Sequence, residues 1–205
     1  MVVVSGTEGY AEEAGALMAQ YEGLRFADVH RVVLHLLPCA PAAVLDVGAG
    51  TGRDAAALAA LGYRVTAVEP TTALRTRAMA LHGAAGVRWV DDSLPDLAAV
   101  AAEGAAYDAV MLTAVWMHLD TAQRGRAMPV VAGLVRDGGV VILSLRHGPV
   151  PPGRRMFDVT GAETAVLAAQ CGLRVVLHLE GTDGVLGRPG VSWTRLAFQR
   201  ETCRP

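Results

Sequence analysis

After residue 41 the hydrophobic residues cluster in short runs rich in valine and alanine, and most runs are followed by a segment whose apolar positions have helical spacing. Such runs predict buried strands, and the segments between them predict helices. The predicted strands cover residues 42–47, 63–68, 87–90, 107–113, 140–145, 173–180 and 193–200. The predicted helices cover residues 54–61, 72–81, 95–103, 121–134 and 160–171.

The alternation of strands and helices predicts an α/β fold with a doubly wound, mostly parallel sheet. The last two strands are joined by GTDGVLGRPGVS, which is too short for a helical crossover, so they are expected to form an antiparallel hairpin. Before the first strand, residues 8–37 have helical spacing, which ends at Pro38 and Pro41. The chain is thus predicted to divide into an N-terminal helical segment, 1–40, and a core domain, 41–205.

A glycine-rich turn follows the first predicted strand, in the sequence VLDVGAGTGRDA. Ligands of doubly wound sheets bind beyond the carboxyl ends of the strands, although an ordinary strand-to-helix turn is the alternative here. The spacing is G-x-G-x-G, and Arg53 stands where the dinucleotide-binding fingerprint has its third glycine. Asp46 places a negative charge just before the turn. Both features disfavour a nicotinamide oxidoreductase, and Asp46 favours a cationic ligand.

Acidic residues follow the next two predicted strands. Glu69 ends the second strand, where a carboxylate can accept hydrogen bonds from both hydroxyls of a ribose. Asp91, Asp92 and Ser93 follow the third strand, where a carboxylate can accept a hydrogen bond from the exocyclic amine of adenine. A solvated acid at Glu69 and a helix or turn cap at Asp91 to Ser93 are the alternatives. Together the three strand ends favour a positively charged adenine nucleoside without phosphates.

With these motifs the sequence resembles the class I methyltransferases that use S-adenosylmethionine. The resemblance covers roughly residues 42–146 through VLDVGAGTGRDA, VTAVEP, WVDDSLPDL, YDAVMLTAVWMHL and LVRDGGVVILSL. It implies a Rossmann-like, seven-stranded sheet, a lid formed by the N-terminal helices, and kinship with small bacterial methyltransferases. The sequence lacks an Asn-Pro-Pro-Tyr motif, which argues against methylation of amino groups of adenine, cytosine or glutamine, and it has no convincing cluster of metal-binding acids.

The resemblance also assigns cofactor contacts to matching positions. It implies that the glycines line the methionine part of S-adenosylmethionine, that Glu69 holds the ribose, and that Asp92, or else Asp91, faces the adenine amine. Thr113 and Ala114 would offer backbone carbonyls to the cofactor amine, although many relatives have Asn or Asp near Thr113. The implied contacts are Asp46, Gly48, Ala49, Gly50, Gly52, Arg53, Glu69, Pro70, Asp91, Asp92, Ser93, Thr113 and Ala114. The product would be S-adenosylhomocysteine.

The methyl acceptor is expected beside this cofactor, near residues that follow the fourth and fifth strands or belong to the N-terminal helices. His118 and His147 are the candidate general bases, because histidine titrates near neutral pH. A structural role is the alternative for His118, and a plain loop position is the alternative for His147. The candidate acceptor-binding residues are Tyr21, Arg25, His30, Trp116 and Arg146.

These candidate residues suit two kinds of contact. Tyr21 and Trp116 would stack on a ring, although core packing fits them equally well. Arg25 and Arg146 would clamp a carboxylate of the cofactor or of the acceptor, and surface salt bridges are the alternative.

Composition narrows the range of partners. A hydrophobic fraction of 52% and a charged fraction of 19% exclude a disordered chain. No apolar run approaches the length of a membrane span. The net charge is -2 and all 18 basic residues are arginines scattered along the chain, which disfavours a nucleic-acid partner.

Cys39, Cys171 and Cys203 are far apart and show no metal-ligand spacing, so they are expected to be reduced and to serve as small apolar residues. The first residues lack the basic region of a signal peptide, which favours a cytoplasmic location. The sequence therefore predicts a monomeric or homodimeric methyltransferase that acts on an O, N, S or C atom of a small molecule. A peptide or RNA methyltransferase and a non-catalytic cofactor-binding protein are the alternative hypotheses.

Overall fold

The computed structural model describes residues 4–182 and 184–202. The strands of its single described sheet are β1 (Ala43–Val47), β2 (Arg64–Val68), β3 (Arg88–Val90), β4 (Tyr107–Leu112), β5 (Val135–His147), β6 (Leu173–Thr182) and β7 (Ser192–Arg200). The α-helices are α1 (Ala14–Glu22), α2 (Phe26–His30), α3 (Arg53–Ala60), α4 (Thr72–Leu81), α5 (Ala98–Ala102), α6 (Thr121–Leu134) and α7 (Gly161–Gln170).

The sheet has seven strands in the order β3-β2-β1-β4-β5-β7-β6. The strands from β1 to β5 pair in parallel, whereas β7 runs antiparallel to both of its neighbours. This is the predicted Rossmann-like sheet with its antiparallel terminal hairpin. The strand order reverses at β1 and β4, and such a switch point is where doubly wound sheets bind ligands.

Two hydrophobic cores cover the two faces of the sheet. Successive residues of β1 serve opposite faces: Val44 packs in the core that contains Leu58 of α3, and Leu45 packs in the core that contains Met128 of α6. All four side chains are almost fully buried. The continuous apolar character of the central strands follows from this burial on both faces.

The N-terminal segment differs from the single helix predicted for residues 8–37. Helix α1 ends at Glu22, the backbone of Arg25 is extended, and α2 covers only five residues before a 3-10 turn at Leu34–Leu36. Gly23 follows α1 directly, and glycine is a weak helix former. Leu17 of α1 packs on Leu74 of α4, so the segment lies against the core domain. The boundary at residue 40 and the lid function of residues 1–40 stay predictions.

Two further expectations need correction. The predicted turn at residues 137–139 lies inside β5, where the register with β4 shifts. Cys39 is exposed and so is no core filler, whereas Cys171 is partly buried, and Cys203 lies outside the described residues. Throughout residues 4–182 and 184–202, every helix falls short of the length and hydrophobicity that crossing a bilayer requires.

Candidate functional site

A cavity of about 330 Å³ opens at the carboxyl ends of β1, β2, β4 and β5. Loops from the N-terminal segment and from the β6–β7 hairpin complete its wall. Of the residues predicted to contact a cofactor or an acceptor, the lining includes Tyr21, Asp46, Gly48, Ala49, Gly50, Arg53, Glu69, Pro70, Asp92, Ser93, Thr113, Ala114, His118 and Arg146. The fold therefore brings together in one cavity most of the residues that sequence reasoning singled out.

The glycine turn leads from β1 into α3. Gly50 has a φ of 58°, and a Cβ built on it would meet no atom nearer than 4.0 Å, so this side of the turn is open. Gly52 has a φ of 85°, but a Cβ there would lie 2.9 Å from His82 and from Trp89. Gly52 does not line the cavity. Glycine is thus required at Gly50 by a backbone that faces the cavity, and at Gly52 by packing under the turn.

Glu69, which follows β2, is held by the backbone. Its Oε2 accepts a hydrogen bond of 2.8 Å from the Gly50 N–H, and its Oε1 accepts one of 2.7 Å from the Thr71 N–H. Burial raises the pKa of Glu69, although these N–H groups and nearby Arg75 oppose the increase. Each carboxylate oxygen keeps a second lone pair for a ligand hydroxyl.

Asp46, the acid before the turn, is 1% exposed, and its Oδ2 has no hydrogen-bond partner among the described residues. Burial raises the pKa of Asp46, and the nearby carboxylate of Asp54 raises it further. A cationic group placed here would favour the ionised form of Asp46. The unpaired oxygen is the clearest sign that a charged ligand belongs at this end of the cavity.

Beneath the turn lies a buried ionic network. Asp54 Oδ2 is 2.7 Å from His30 Nε2, and Asp54 Oδ1 accepts a 2.7 Å hydrogen bond from Arg53 Nε. Burial acts to raise the pKa of Asp54, but His30 and Arg53 outweigh it and hold that pKa below its ordinary value. The network fixes Arg53 at the cavity wall and connects α2 to α3. His30 itself does not line the cavity, which removes it from the acceptor-binding set.

Asp91 and Asp92 have different surroundings. Asp91 is largely exposed, pairs with Arg75 at 2.6 Å and lies outside the cavity lining. Asp92 lines the cavity, but its oxygens accept from the N–H groups of Ser93, Ala99 and Val100. Oδ1 accepts only from Ser93 and so keeps capacity for a further donor, such as an amine. Of the two acids, only Asp92 lines the cavity, and its contact with an adenine stays a prediction.

At the end of β4 the backbone turns sharply. Ala114 has a φ of 59°, which is rare for a residue with a Cβ, and its N–H donates to Ser144 Oγ at 3.0 Å. Thr113 and Ala114 both line the cavity. Such strained backbone is often found at ligand sites.

A tyrosine that sequence reasoning missed lies against His118. The Tyr10 hydroxyl is 3.0 Å from His118 Nε2, and His118 Nδ1 is 2.7 Å from the Arg155 carbonyl oxygen. A carbonyl only accepts, so Nδ1 carries the proton and Nε2 accepts from the Tyr10 hydroxyl. Burial lowers the pKa of His118, which agrees with a neutral imidazole.

Tyr10 is fixed by the loop that follows β5. The Arg154 guanidinium stacks 4.0 Å from the centre of its ring and forms a 2.6 Å ion pair with Glu13. Burial raises the pKa of Tyr10, which keeps its hydroxyl protonated at neutral pH. No local pattern signals this contact, because Tyr10 and His118 are 108 positions apart in the sequence.

Three other predicted residues do not reach the cavity. Trp116 is fully buried in the hydrophobic core that contains Met128. His147 lies 2.8 Å from Thr194 Oγ1 along β7 and points away from the lining. Arg25 is an exposed residue paired with Asp28 at 3.6 Å. The structure places these three residues outside the cavity lining, so it gives no support to their predicted catalytic or acceptor-binding roles.

The cavity therefore has two chemically different ends. The first, formed by Asp46, Gly50 and Glu69, combines carboxylates with an open glycine backbone and suits a cationic nucleoside. The second is formed by Tyr10, His118 and Arg146 and offers a hydroxyl, an imidazole and a guanidinium. In the part of the chain that the structure describes, there is no cluster of three His, Cys, Asp or Glu side chains that would hold a metal ion.

Comparisons with known proteins match this chain to methyltransferases. Residues 44–139 match the family model described as "Methyltransferase domain". A Mycobacterium tuberculosis protein named "Uncharacterized methyltransferase" is 33% identical over 132 residues, which cover 61% of this chain and 48% of that protein. This chain thus spans about half the length of that relative. Human glycine N-methyltransferase is 30% identical over 191 residues, covering 76% of this chain and 63% of that enzyme.

Solved structures share the fold. A TehB-like S-adenosylmethionine-dependent methyltransferase from Corynebacterium glutamicum has a TM-score of 0.68 at 19% identity, covering 94% of this chain and 96% of the other. The 1,6-didemethyltoxoflavin-N1-methyltransferase from Burkholderia thailandensis, crystallised with 1,6-didemethyltoxoflavin and S-adenosylhomocysteine, has a TM-score of 0.64 at 20% identity, covering 98% and 93%.

Proposed function

On the premise that residues 44–139 carry a class I methyltransferase domain, we propose that this protein transfers the methyl group of S-adenosylmethionine to a small-molecule acceptor. One observation carries the proposal. The turn after β1 and the acid after β2 meet in one cavity, where Glu69 is fixed by backbone N–H groups and Asp46 has an unpaired buried oxygen. This end of the cavity, the nucleoside end, matches a nucleoside with a cationic tail.

The residues of this end fit the cofactor in three ways. Glu69 retains lone pairs for the two ribose hydroxyls, and its position is set by the Gly50 and Thr71 N–H groups. The open side of Gly50 leaves room for the methionine part. The unpaired oxygen of Asp46 lies where an ammonium or sulfonium would compensate its charge. When bound, S-adenosylmethionine supplies an electrophilic methyl group and a neutral leaving group.

The second end of the cavity, the acceptor end, would take up the proton that the methyl acceptor loses. In the proposed step, the Tyr10 oxygen takes the proton from the attacking O, N or S atom. Tyr10 passes its own hydroxyl proton to His118 Nε2, so the histidine becomes an imidazolium. The Arg155 carbonyl, which accepts from Nδ1, stabilises that charge. General base assistance of this kind contributes about 10²–10⁴-fold, and orientation of the acceptor in the cavity would supply a further rate enhancement.

A small acceptor is favoured by the dimensions of the site. The cavity has a volume of about 330 Å³, and the N-terminal segment and the β6–β7 hairpin wall it in. The relatives include enzymes named for small acceptors, glycine in one case and 1,6-didemethyltoxoflavin in another. The identity of the acceptor atom is left to experiment.

The proposal is tested by calorimetric titration with S-adenosylhomocysteine. We expect wild-type protein to bind it and Glu69→Gln to bind it about 10–100-fold more weakly, because charge-assisted hydrogen bonds contribute roughly 1.5–3 kcal/mol. Glu103→Gln is the matched control, since Glu103 pairs with Arg88 outside the cavity. If wild-type protein gives no binding heat, or if Glu69→Gln and Glu103→Gln bind equally well, the proposed function is wrong.

A further inference from the structure

Arg146, near the end of β5, has a guanidinium without a partner. It lines the cavity, and its buried Nε and Nη1 atoms make no hydrogen bond to any described residue. A buried cation is normally paired, because leaving water without compensation is costly. An unpaired guanidinium at a cavity wall therefore indicates a missing anion.

Among the described arginines that line the cavity, Arg146 is the one with buried guanidinium nitrogens that lack a hydrogen bond. Arg53 is paired with Asp54, Arg154 with Glu13, and Arg188 donates to the Gln20 side chain. Arg195 has no ion pair among the described residues, but its guanidinium lies 5.1 Å from the centre of the Trp193 ring. Arg146 is surrounded by Arg188, Tyr10 and Tyr21, and no carboxylate is among the groups that shift its pKa. Burial lowers the pKa of Arg146, and Arg188 lowers it further.

The neighbours of Arg146 are aromatic. Arg146 pairs directly with Trp193 across the β5–β7 ladder, so the two side chains lie side by side on one face of the sheet. Trp193 also lines the cavity, as do Tyr10 and Tyr21. A flat apolar group next to the guanidinium would pack against these rings.

Arg146 lies far from the nucleoside end. Glu69 follows β2, whereas Arg146 is in β5, and the strand order β2-β1-β4-β5 puts three inter-strand steps between them. At about 4.8 Å per step, the separation is about 14 Å across the sheet. The guanidinium is on the side of Tyr10 and His118, where the proposed function puts the acceptor.

We propose that the methyl acceptor is an aromatic carboxylic acid whose carboxylate binds Arg146 while its ring packs beside Trp193. The inference rests on the proposed function, since it names the acceptor class of that same site. A carboxylate suits the planar guanidinium because both can form two parallel hydrogen bonds. The nucleophile of the same molecule would then face Tyr10.

The test uses protein saturated with S-adenosylhomocysteine, titrated with three acid and amide pairs: benzoate and benzamide, phenylacetate and phenylacetamide, and 3-phenylpropionate and its amide. We expect at least one acid to bind 10-fold or more tightly than its amide. Arg146→Gln should reduce that preference to less than about 2-fold, and Arg146→Lys should retain part of it. Arg25→Gln is the matched control, because Arg25 is an exposed arginine outside the cavity.

A second measurement shows whether the variant is folded. Removal of a half-buried charge whose Nε and Nη1 atoms lack partners among the described residues should raise the melting temperature of ligand-free Arg146→Gln above that of wild type. A lowered melting temperature would identify Arg146 as a structural residue and overturn the inference.

The outcomes separate this inference from the proposed function. If S-adenosylhomocysteine does not bind wild-type protein, the proposed function itself fails. If it binds but every acid binds no better than its amide, only the acceptor class is wrong. If Arg146→Gln weakens the binding of S-adenosylhomocysteine instead, Arg146 holds the carboxylate of the cofactor, and the inference is again overturned.

Discussion

The two ends of the cavity are built in different ways. At the nucleoside end, Glu69 is held by the backbone N–H groups of Gly50 and Thr71, and all three residues lie within one β-α-β unit and the turn that follows it. At the acceptor end, Tyr10 meets His118 across 108 positions, and Arg154 meets Glu13 across 141. A site made of local backbone leaves a motif in the sequence, whereas a site made of distant side chains does not.

This difference has a physical consequence for specificity. Backbone N–H groups are present whatever the side chains are, so the nucleoside end depends on a few glycines and acids. The acceptor end depends on which side chains the loops bring together, and loops vary more easily than strands. On the proposed function, the first end would define the reaction and the second end would select the acceptor.

The largest effect is expected from loss of the buried contacts that Asp54 makes with His30 and Arg53 beneath the glycine turn. It would show that this turn needs a tertiary contact as well as its local backbone. Asp54→Asn should destabilise the protein by about 3–5 kcal/mol, because breaking a buried ion pair leaves Arg53 uncompensated. Chemical denaturation measures this change. Asp28→Asn, which affects an exposed pair with Arg25, should change stability by less than about 1 kcal/mol. Equal effects of the two substitutions would mean that the turn is held by its local backbone alone.

A smaller effect separates binding from folding within the glycine turn. Gly50→Ala and Gly52→Ala each place a side chain at a positive φ, which costs about 1–2 kcal/mol. Gly52→Ala should destabilise the protein more, since its methyl group meets Trp89 and His82. Gly50→Ala should weaken the binding of S-adenosylhomocysteine more, because its methyl group would enter cavity space that the proposed ligand occupies. Denaturation and calorimetry on both variants test this crossed pattern, and a shared rank order in both measurements would contradict it.

The smallest effect belongs to the acceptor end and depends on pH. Burial lowers the pKa of His118 below its ordinary value of 6.5. Below pH 6.5 the unfolded chain therefore binds a proton that folded His118 does not bind. Stability should therefore fall as the pH drops below 6.5 and level off above it. His118→Asn should flatten this slope in thermal unfolding between pH 5 and pH 7. An unchanged slope would show that His118 has the same pKa in the folded and the unfolded chain, and would contradict the prediction.

The resemblance to class I methyltransferases and the predicted sheet are both confirmed. The helices Thr121–Leu134 and Thr72–Leu81 agree with their predicted ranges. The first begins at a capping box formed by Asp120 and Gln123. The prediction of helix throughout residues 8–37 was wrong, because apolar spacing alone does not show that Gly23 and the extended Arg25 divide the segment. The roles of the individual cofactor residues stay predictions.

Near the acceptor end the sequence predicted the right segments but not the right directions. Arg146 and His147 were both selected because they follow the fifth predicted strand. Only Arg146 lines the cavity, because successive residues of a strand point to opposite faces. Trp116 and His118 share one 3-10 turn, and the fold buries the first in the core while the second faces Tyr10. Which of two neighbours faces a cavity depends on register and packing, and these follow from the whole chain.

The reversed direction of β7 affects how the protein can change over evolutionary time. Because β7 is antiparallel to β5, its first residues lie next to Arg146. The loop that precedes β7, residues 184–191, contributes to the wall of the cavity. Lengthening or shortening that loop would reshape the entrance while every rung of the ladder stayed paired. On the proposed function, insertions at this one hairpin would alter acceptor selection while leaving Asp46, Gly50 and Glu69 in place.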